Sequence, residues 1–141
     1  MTTLVLAEDD DDIRMITARI LRRAGFTVIE AGDGAEGLRA VREHRPAAVV
    51  SDIDMPVMSG VDLCLAIRAD DSMKDLPVIF VSGSLTPGDS RPAKAQATAV
   101  VSKPFRPGEL VACVRDALPS DSTTADSATA DSATADSATA D

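Results

Sequence analysis

Four places in this 141-residue chain carry side chains suited to phosphate or metal chemistry: the acidic run Glu8-Asp9-Asp10-Asp11-Asp12, Asp52, the pair Ser82-Gly83, and Lys103. Each follows a short apolar run, Leu4–Ala7, Ala47–Val50, Val78–Val81 and Val100–Val101 respectively. Carboxylates from two such runs, brought together, repel and raise each other's proton affinity. A divalent cation with oxygen ligands relieves that conflict, and Mg²⁺ fits best because it accepts a few carboxylates and keeps places for water and phosphate. A hydroxyl and an ammonium beside it can hold the equatorial oxygens of a transferring phosphoryl group while a carboxylate attacks. Taken singly, each residue has a plainer explanation. Asp10, Asp11 and Asp12 suit the N-terminus of a helix, a serine after a strand often forms a turn, and a single lysine is usually a solvated charge. The information lies in their order along the chain.

Five apolar runs, those four and Phe26–Ile29, alternate with segments of helical period and read as strands buried on both faces. Ile13, Ile16 and Ile20 are spaced for one face of a first helix that Gly25 stops. A second helix fits Ala35–His44, a third Val61–Ala69, and a fifth Gly108–Leu118 with Leu110, Val111, Val114 and Leu118 inward. The fourth crossover contains Pro87, Gly88 and Pro92, which leave at most a short helix near Ala93–Ala99. The alternation predicts an α/β fold with a parallel sheet covered by helices on both faces. Open sheets of this kind place ligands at the carboxyl ends of the strands. Those ends offer, in sequence order, acid-acid, none, acid, Ser and Lys.

The balance of 14 Lys+Arg against 23 Asp+Glu gives a formal charge of −9. Five of the acids, Asp121, Asp126, Asp131, Asp136 and Asp141, fall in a repeat of Asp-Ser-Ala-Thr-Ala type, so residues 1–120 carry −4. The division expected is a folded domain over 1–119 and a low-complexity acidic tail over 120–141, disordered for want of large apolar side chains. A nucleic-acid partner is not expected, because basic clusters are lacking and Phe26, Phe80 and Phe105 are the only aromatics. No apolar run approaches the ~20 residues of a membrane helix, so no membrane partner is expected either. Cys64 and Cys113 read as packed thiols of a reducing compartment, His44 as a solvated helix residue, and the expected location is cytoplasmic.

With Asp52-Ile53-Asp54-Met55-Pro56-Val57-Met58-Ser59-Gly60 and Ser102-Lys103-Pro104-Phe105, the strand-end order resembles the receiver domain of two-component response regulators over about Leu4 to Leu118. The resemblance implies a doubly wound, flavodoxin-like sheet of five parallel strands in the order 2-1-3-4-5, here with a short or irregular fourth helix. It implies that Asp52 is the nucleophile taking a phosphoryl group from a histidine kinase or phosphotransfer protein. Glu8 and Asp9 would hold Mg²⁺ with Asp52 and the backbone carbonyl of Asp54, Lys103 would pair with phosphoryl oxygens, and Ser82 and the Gly83 N–H would bind one of them. Pro56 and Gly60 would shape the loop after Asp52. The chain departs from the family in three places: Val100 stands where Tyr or Phe is common, the fourth crossover carries prolines, and Glu8 replaces the commoner Asp.

A stand-alone phosphoacceptor of this kind, not a turnover enzyme, would signal by contact with an unknown downstream protein. Two other readings remain. One is a receiver-like binding module that acts without phosphorylation. The other is a phosphohydrolase, because Asp52-x-Asp54 superficially matches the nucleophile and acid pair of the haloacid dehalogenase superfamily.

Overall fold

The structure, a computed structural model, describes residues 2–85 and 88–118. The five apolar runs form β1 (Thr3–Ala7), β2 (Thr27–Ala31), β3 (Ala48–Ser51), β4 (Val78–Ser82) and β5 (Ala99–Ser102). Between and after them lie α1 (Asp11–Arg23), α2 (Gly34–His44), α3 (Gly60–Ala69), α4 (Arg91–Ala95) and α5 (Pro107–Ala117). The strands pair in parallel in the order β2-β1-β3-β4-β5, the order that the resemblance implied.

Strand side chains alternate between two cores, which is why β1, β3 and β4 are apolar almost without interruption. Leu4, Leu6, Val50, Ile79 and Val81 pack against Ala18 and Leu21 of α1 and Leu110 and Val114 of α5. Val5, Ala7, Val49, Val78 and Phe80 face the opposite layer, where Leu38, Val41, Leu63, Cys64, Ile67 and Ala95 come from α2, α3 and α4. Burial on both faces, expected for all five strands, holds only for the central three. β2 and β5 are edge strands with one open side, and Thr27, Glu30, Val100 and Ser102 are exposed.

The helix ends follow local rules. The Asp10 carboxylate accepts from the N–H groups of Asp12 and Ile13 at 3.0 Å, capping α1, and Gly25 at φ 101 ends it. The packed face of α1 differs from the expected one: Thr17, Ala18 and Leu21 are buried, Ile13 and Ile20 flank them, and Ile16 is 54% exposed. Ala18 and Leu21 join the core under the sheet, and Ile13, Ile16 and Ile20 instead line an open groove with Lys103, Pro104, Phe105 and Pro107. In α5, Leu110 and Val114 are buried as expected, whereas Val111 and Leu118 are half-buried. The fourth helix is as short as expected but lies earlier, over the five residues Arg91–Ala95 and not near Ala93–Ala99: Pro92 is accommodated in its first turn, where an N–H has no helical partner to lose, and Ala99 already belongs to β5. The proposed tail, 120–141, lies outside the described residues. Among the described residues no helix is long and apolar enough to cross a membrane.

At α2, Asp33 accepts from the Glu36 N–H at 2.8 Å while the Glu36 carboxylate accepts from the Gly32 N–H at 3.0 Å. Two helix-start donors are thereby satisfied. Asp33→Ala is expected to lower stability by about 1 kcal/mol, read as a lower urea midpoint at unchanged slope.

Candidate functional site

Parallel pairing carries the strand ends into a common edge. Ala7 lies beside Ala31 on one side and Ser51 on the other, and Ser82 lies beside Ser102. The ladder continues one residue further: Glu8 N–H donates to Ala31 O, Asp52 N–H to Ala7 O, and Lys103 N–H to Ser82 O, each at 3.0 Å. Residues 95 positions apart in sequence are therefore neighbours at this edge, and Lys103 Nζ lies 2.8 Å from Glu8 Oε1.

Glu8, Asp9 and Asp52 each bring a carboxylate oxygen within 4.8 Å of the others. Glu8 is buried, Asp52 largely so, and Asp9 exposed. Lys103 bridges the first two, with Nζ 3.3 Å from Asp52 Oδ2 as well. Burial raises the Glu8 pKa above its ordinary value, an effect that the hydrogen bond from Lys103 and the Asp10 N–H offset only in part, and the Asp52 charge adds to it. For Lys103, burial acts downward, but the hydrogen bond to Glu8 and the charges of Asp52 and Glu8 together hold its ammonium above the ordinary lysine value. Three oxygen donors at one strand edge, one of them exposed, fit a hard divalent cation. The same oxygens, with Lys103 alongside, fit a phosphoryl group attached to one of them.

Removing the ammonium leaves Glu8 and Asp52 facing each other uncompensated. Lys103→Met is expected to lower stability by about 2 kcal/mol near neutral pH, less than for a fully buried pair because Asp52 retains some solvent. The deficit narrows as the pH falls toward 4.5, the ordinary glutamate value, because Glu8 titrates above it and its protonation removes one of the facing charges. Urea melts at neutral and acid pH check this, and an equal deficit at both would contradict it.

The loop from Asp52 to Ser59 is clamped by two glycines. A Cβ at Gly60 would stand 2.0 Å from the Asp52 carbonyl oxygen, and one at Gly34 would stand 2.2 Å from the Met58 carbonyl oxygen. Gly60 N–H donates to Ile53 O at 2.8 Å and Gly34 N–H to Met58 O at 3.1 Å. The Asp52 side chain is oriented by the Ile53 N–H, which donates to Oδ1 at 2.7 Å. Between the clamps, Met58 N–H closes on Pro56 O at 2.7 Å, a three-residue turn with Val57 at φ 68 and 83% exposed. Pro56 thus sits in the loop, and Gly60, the first residue of α3, packs against its start.

Ser82 is buried and engaged: its Oγ lies 3.0 Å from Ser84 Oγ and accepts from the Ser84 N–H at 3.1 Å. Gly83 is exposed beside it, with room for a Cβ 3.7 Å from that of Lys103. Asp54 is exposed, and its carboxylate accepts from the Ser84 hydroxyl and from Arg91 Nη1 at 3.3 Å. That engagement commits the side chain that a phosphohydrolase would use as its acid. Ser84 and Arg91 were not singled out from the sequence. A second hydroxyl two residues after Ser82 was the available signal for Ser84, and Arg91 had none. Val100 is 41% exposed and borders an open cavity of about 420 Å³ with Leu85, Gly88, Pro92 and Ala93. Away from the edge, Cys64 is buried and donates to Ala95 O at 3.1 Å, Cys113 is half-buried, and both are free thiols. His44 is exposed beside Glu43.

The model of the response regulator receiver domain family matches residues 4–115. Among curated proteins, the transcriptional regulatory protein PrrA of Mycobacterium tuberculosis is 43% identical over 117 residues, 82% of this chain and 49% of that protein. The chain spans about half the length of the curated relatives that it matches. Among solved structures, chemotaxis protein CheY4 of Vibrio cholerae superposes with a TM-score of 0.79 at 28% identity, covering 84% of this chain and 99% of that one. The receiver domain of sensor histidine kinase PA1611 from Pseudomonas aeruginosa superposes with a TM-score of 0.77 at 25% identity, over 82% of this chain and 96% of that one. The PA1611 structure holds a magnesium ion coordinated in its active-site cleft.

Proposed function

The chain belongs to the response regulator receiver domain family, and from that premise we propose that Asp52 accepts a phosphoryl group from the phosphohistidine of a histidine kinase or phosphotransfer protein. The observation that carries the reading is the convergence of the Glu8, Asp9 and Asp52 carboxylates within 4.8 Å, with Lys103 bridging two of them. Receiver domains are phosphoacceptors; in this reading the chain's own residues promote phosphoryl transfer to Asp52 and the later attack of water on the aspartyl phosphate, which releases inorganic phosphate and restores the carboxylate. Residues 1–119 form this unit, with 120–141 as an acidic appendage.

An Asp52 carboxylate oxygen attacks phosphorus, forming an O–P bond as the N–P bond of the donor breaks and its electron pair returns to the imidazole nitrogen. Glu8, Asp9 and Asp52 would hold Mg²⁺ with the Asp54 backbone carbonyl. Bound there, the ion supplies positive charge to the phosphoryl oxygens as negative charge crowds onto the edge. Lys103 is already within reach of Asp52 Oδ2, so it can follow the charge from carboxylate to phosphoryl oxygen. The Ile53 N–H holds Oδ1 and leaves Oδ2 on the Lys103 side as the nucleophile. Ser82, once turned from Ser84, and the Gly83 N–H supply donors to a phosphoryl oxygen.

The signal leaves by contact with a downstream protein. The net negative charge disfavours nucleic acid as that partner for the receiver body. The name of PrrA places transcriptional regulation with that longer protein.

Incubation with acetyl phosphate, with and without Mg²⁺, tests the reading by intact mass. One phosphoryl adduct with Mg²⁺, and none without it, is expected. No adduct, together with no binding of beryllofluoride in the presence of Mg²⁺, would favour a receiver-like module that works without phosphorylation.

A further inference from the structure

The hydroxyl proton of Ser82 has a fixed direction in this structure. Ser84 Oγ–H donates to Asp54 Oδ2, a carboxylate oxygen that accepts. With its one proton spent there, Ser84 Oγ can only accept across the 3.0 Å contact, so Ser82 Oγ–H donates to Ser84. Arg91 closes the far end: Nη1–H donates to Asp54 Oδ1 at 3.3 Å and Nη2–H reaches Ser84 Oγ at 3.4 Å. Asp89 holds the same guanidinium, with its oxygens 3.0–3.2 Å from Nη2 and Nε. A donor chain thus runs from Ser82 through Ser84 to Asp54, where Arg91 meets it.

Arg91 is the first residue of α4. The other end of that helix is held by α3, through Cys64 Sγ–H to Ala95 O at 3.1 Å and Arg68 Nε–H to Gln96 O at 3.0 Å. Only its N-terminal end answers to the strand edge. The Val100 side chain, on the neighbouring edge strand, has no polar atom to take part.

Resting on the phosphoacceptor reading above, we propose that Ser84 and Arg91 are positioning residues for Ser82 that also tie the start of α4 to the phosphoacceptor. While the Ser82 proton goes to Ser84, the tie is closed. When a phosphoryl oxygen on Asp52 takes that proton, Ser82 Oγ turns away. Ser84 then loses both its hydroxyl donor and the acceptor of its N–H. Asp54 and Arg91 are left with a partner that can shift, and the N-terminal turn of α4 loosens while its C-terminal anchors stay.

Hydrogen exchange on the full chain, followed by NMR with and without Mg²⁺ and beryllofluoride, tests this. The Gln96 amide, which donates to Ala93 O at the anchored end, is the internal control, and the Lys94 and Ala97 amides, which donate to Ser90 O and Pro92 O in the N-terminal turn, are the reporters. In the wild type, beryllofluoride is expected to speed their exchange about threefold, the scale of one exposed ion-pair contact. In Ser84→Ala and Arg91→Ala, exchange is already fast and beryllofluoride adds little, whereas Ser84→Thr keeps the hydroxyl and restores the response. Bound beryllofluoride, seen by fluorine NMR, with no change at these amides would overturn the proposal. So would variants that exchange and respond like the wild type. Failure of the wild type to bind beryllofluoride would instead remove the phosphoacceptor reading on which the proposal rests.

Discussion

Asp52→Asn is expected to reduce phosphoryl labelling to background while leaving the fold intact. The amide oxygen can still accept from the Ile53 N–H that now holds Oδ1 at 2.7 Å, so the backbone has no reason to move. What disappears is the nucleophilic oxyanion facing Lys103 at 3.3 Å. No other carboxylate stands in for it: Glu8 is bound to Lys103 and accepts from the Asp10 N–H, and Asp9 lies on the solvent side of the cluster. Loss of one negative charge among three crowded ones also relieves repulsion, so the urea midpoint is expected to stay or rise. Undiminished labelling would mean that the acceptor is elsewhere. A large fall in stability would mean that Asp52 is held for structural reasons.

Among the glycines, Gly60→Ala is expected to be the most damaging alanine substitution. The added carbon would lie 2.0 Å from the Asp52 carbonyl oxygen and 3.0 Å from Ile53 Cα, both backbone atoms that cannot rotate away. Either α3 retreats, breaking the Gly60 N–H bond to Ile53 O, or the Asp52 backbone shifts. A cost of at least about 3 kcal/mol is expected. Because a misplacement of about 1 Å at a reacting group costs on the order of 10²-fold, labelling of the fraction that folds should slow by roughly that factor. Urea unfolding and the acetyl phosphate time course measure the two effects. Gly108→Ala is the control, since nothing lies within 4 Å of a Cβ there, and it should neither lower stability nor slow labelling.

Those two effects belong to the part of the molecule that was most legible in the sequence. Parallel strands buried on both faces read as uninterrupted apolar runs, and the one or two polar residues that close each run must sit at the ligand edge. Glu8, Asp52, Ser82 and Lys103 are therefore assigned to one place by the sequence pattern. The weak fourth helix was legible for an equally local reason, the prolines of its crossover, and its five residues bear that out. What escaped depended on distance or on competition between faces. Ile13, Ile16 and Ile20 keep helical spacing, yet Thr17, Ala18 and Leu21 form the buried face of α1. β2 and β5 share the composition of the inner strands, and their edge positions follow from crossover order. Ser84, Asp54 and Arg91 meet across 30 and 37 positions by side-chain contacts that no periodicity encodes. The convergence of strand ends was readable because backbone pairing dictates it, and the donor chain beside them was not.

The central claim, that Asp52 is the phosphoacceptor, is tested most directly by trapping the adduct. The protein is labelled with acetyl phosphate and Mg²⁺ and treated with borohydride, which reduces an aspartyl phosphate to homoserine, and its peptides are mapped by mass. Homoserine at position 52 alone is the predicted result. Homoserine at Asp9 or Asp54, or a labelled protein with no reduced aspartate, would contradict the account.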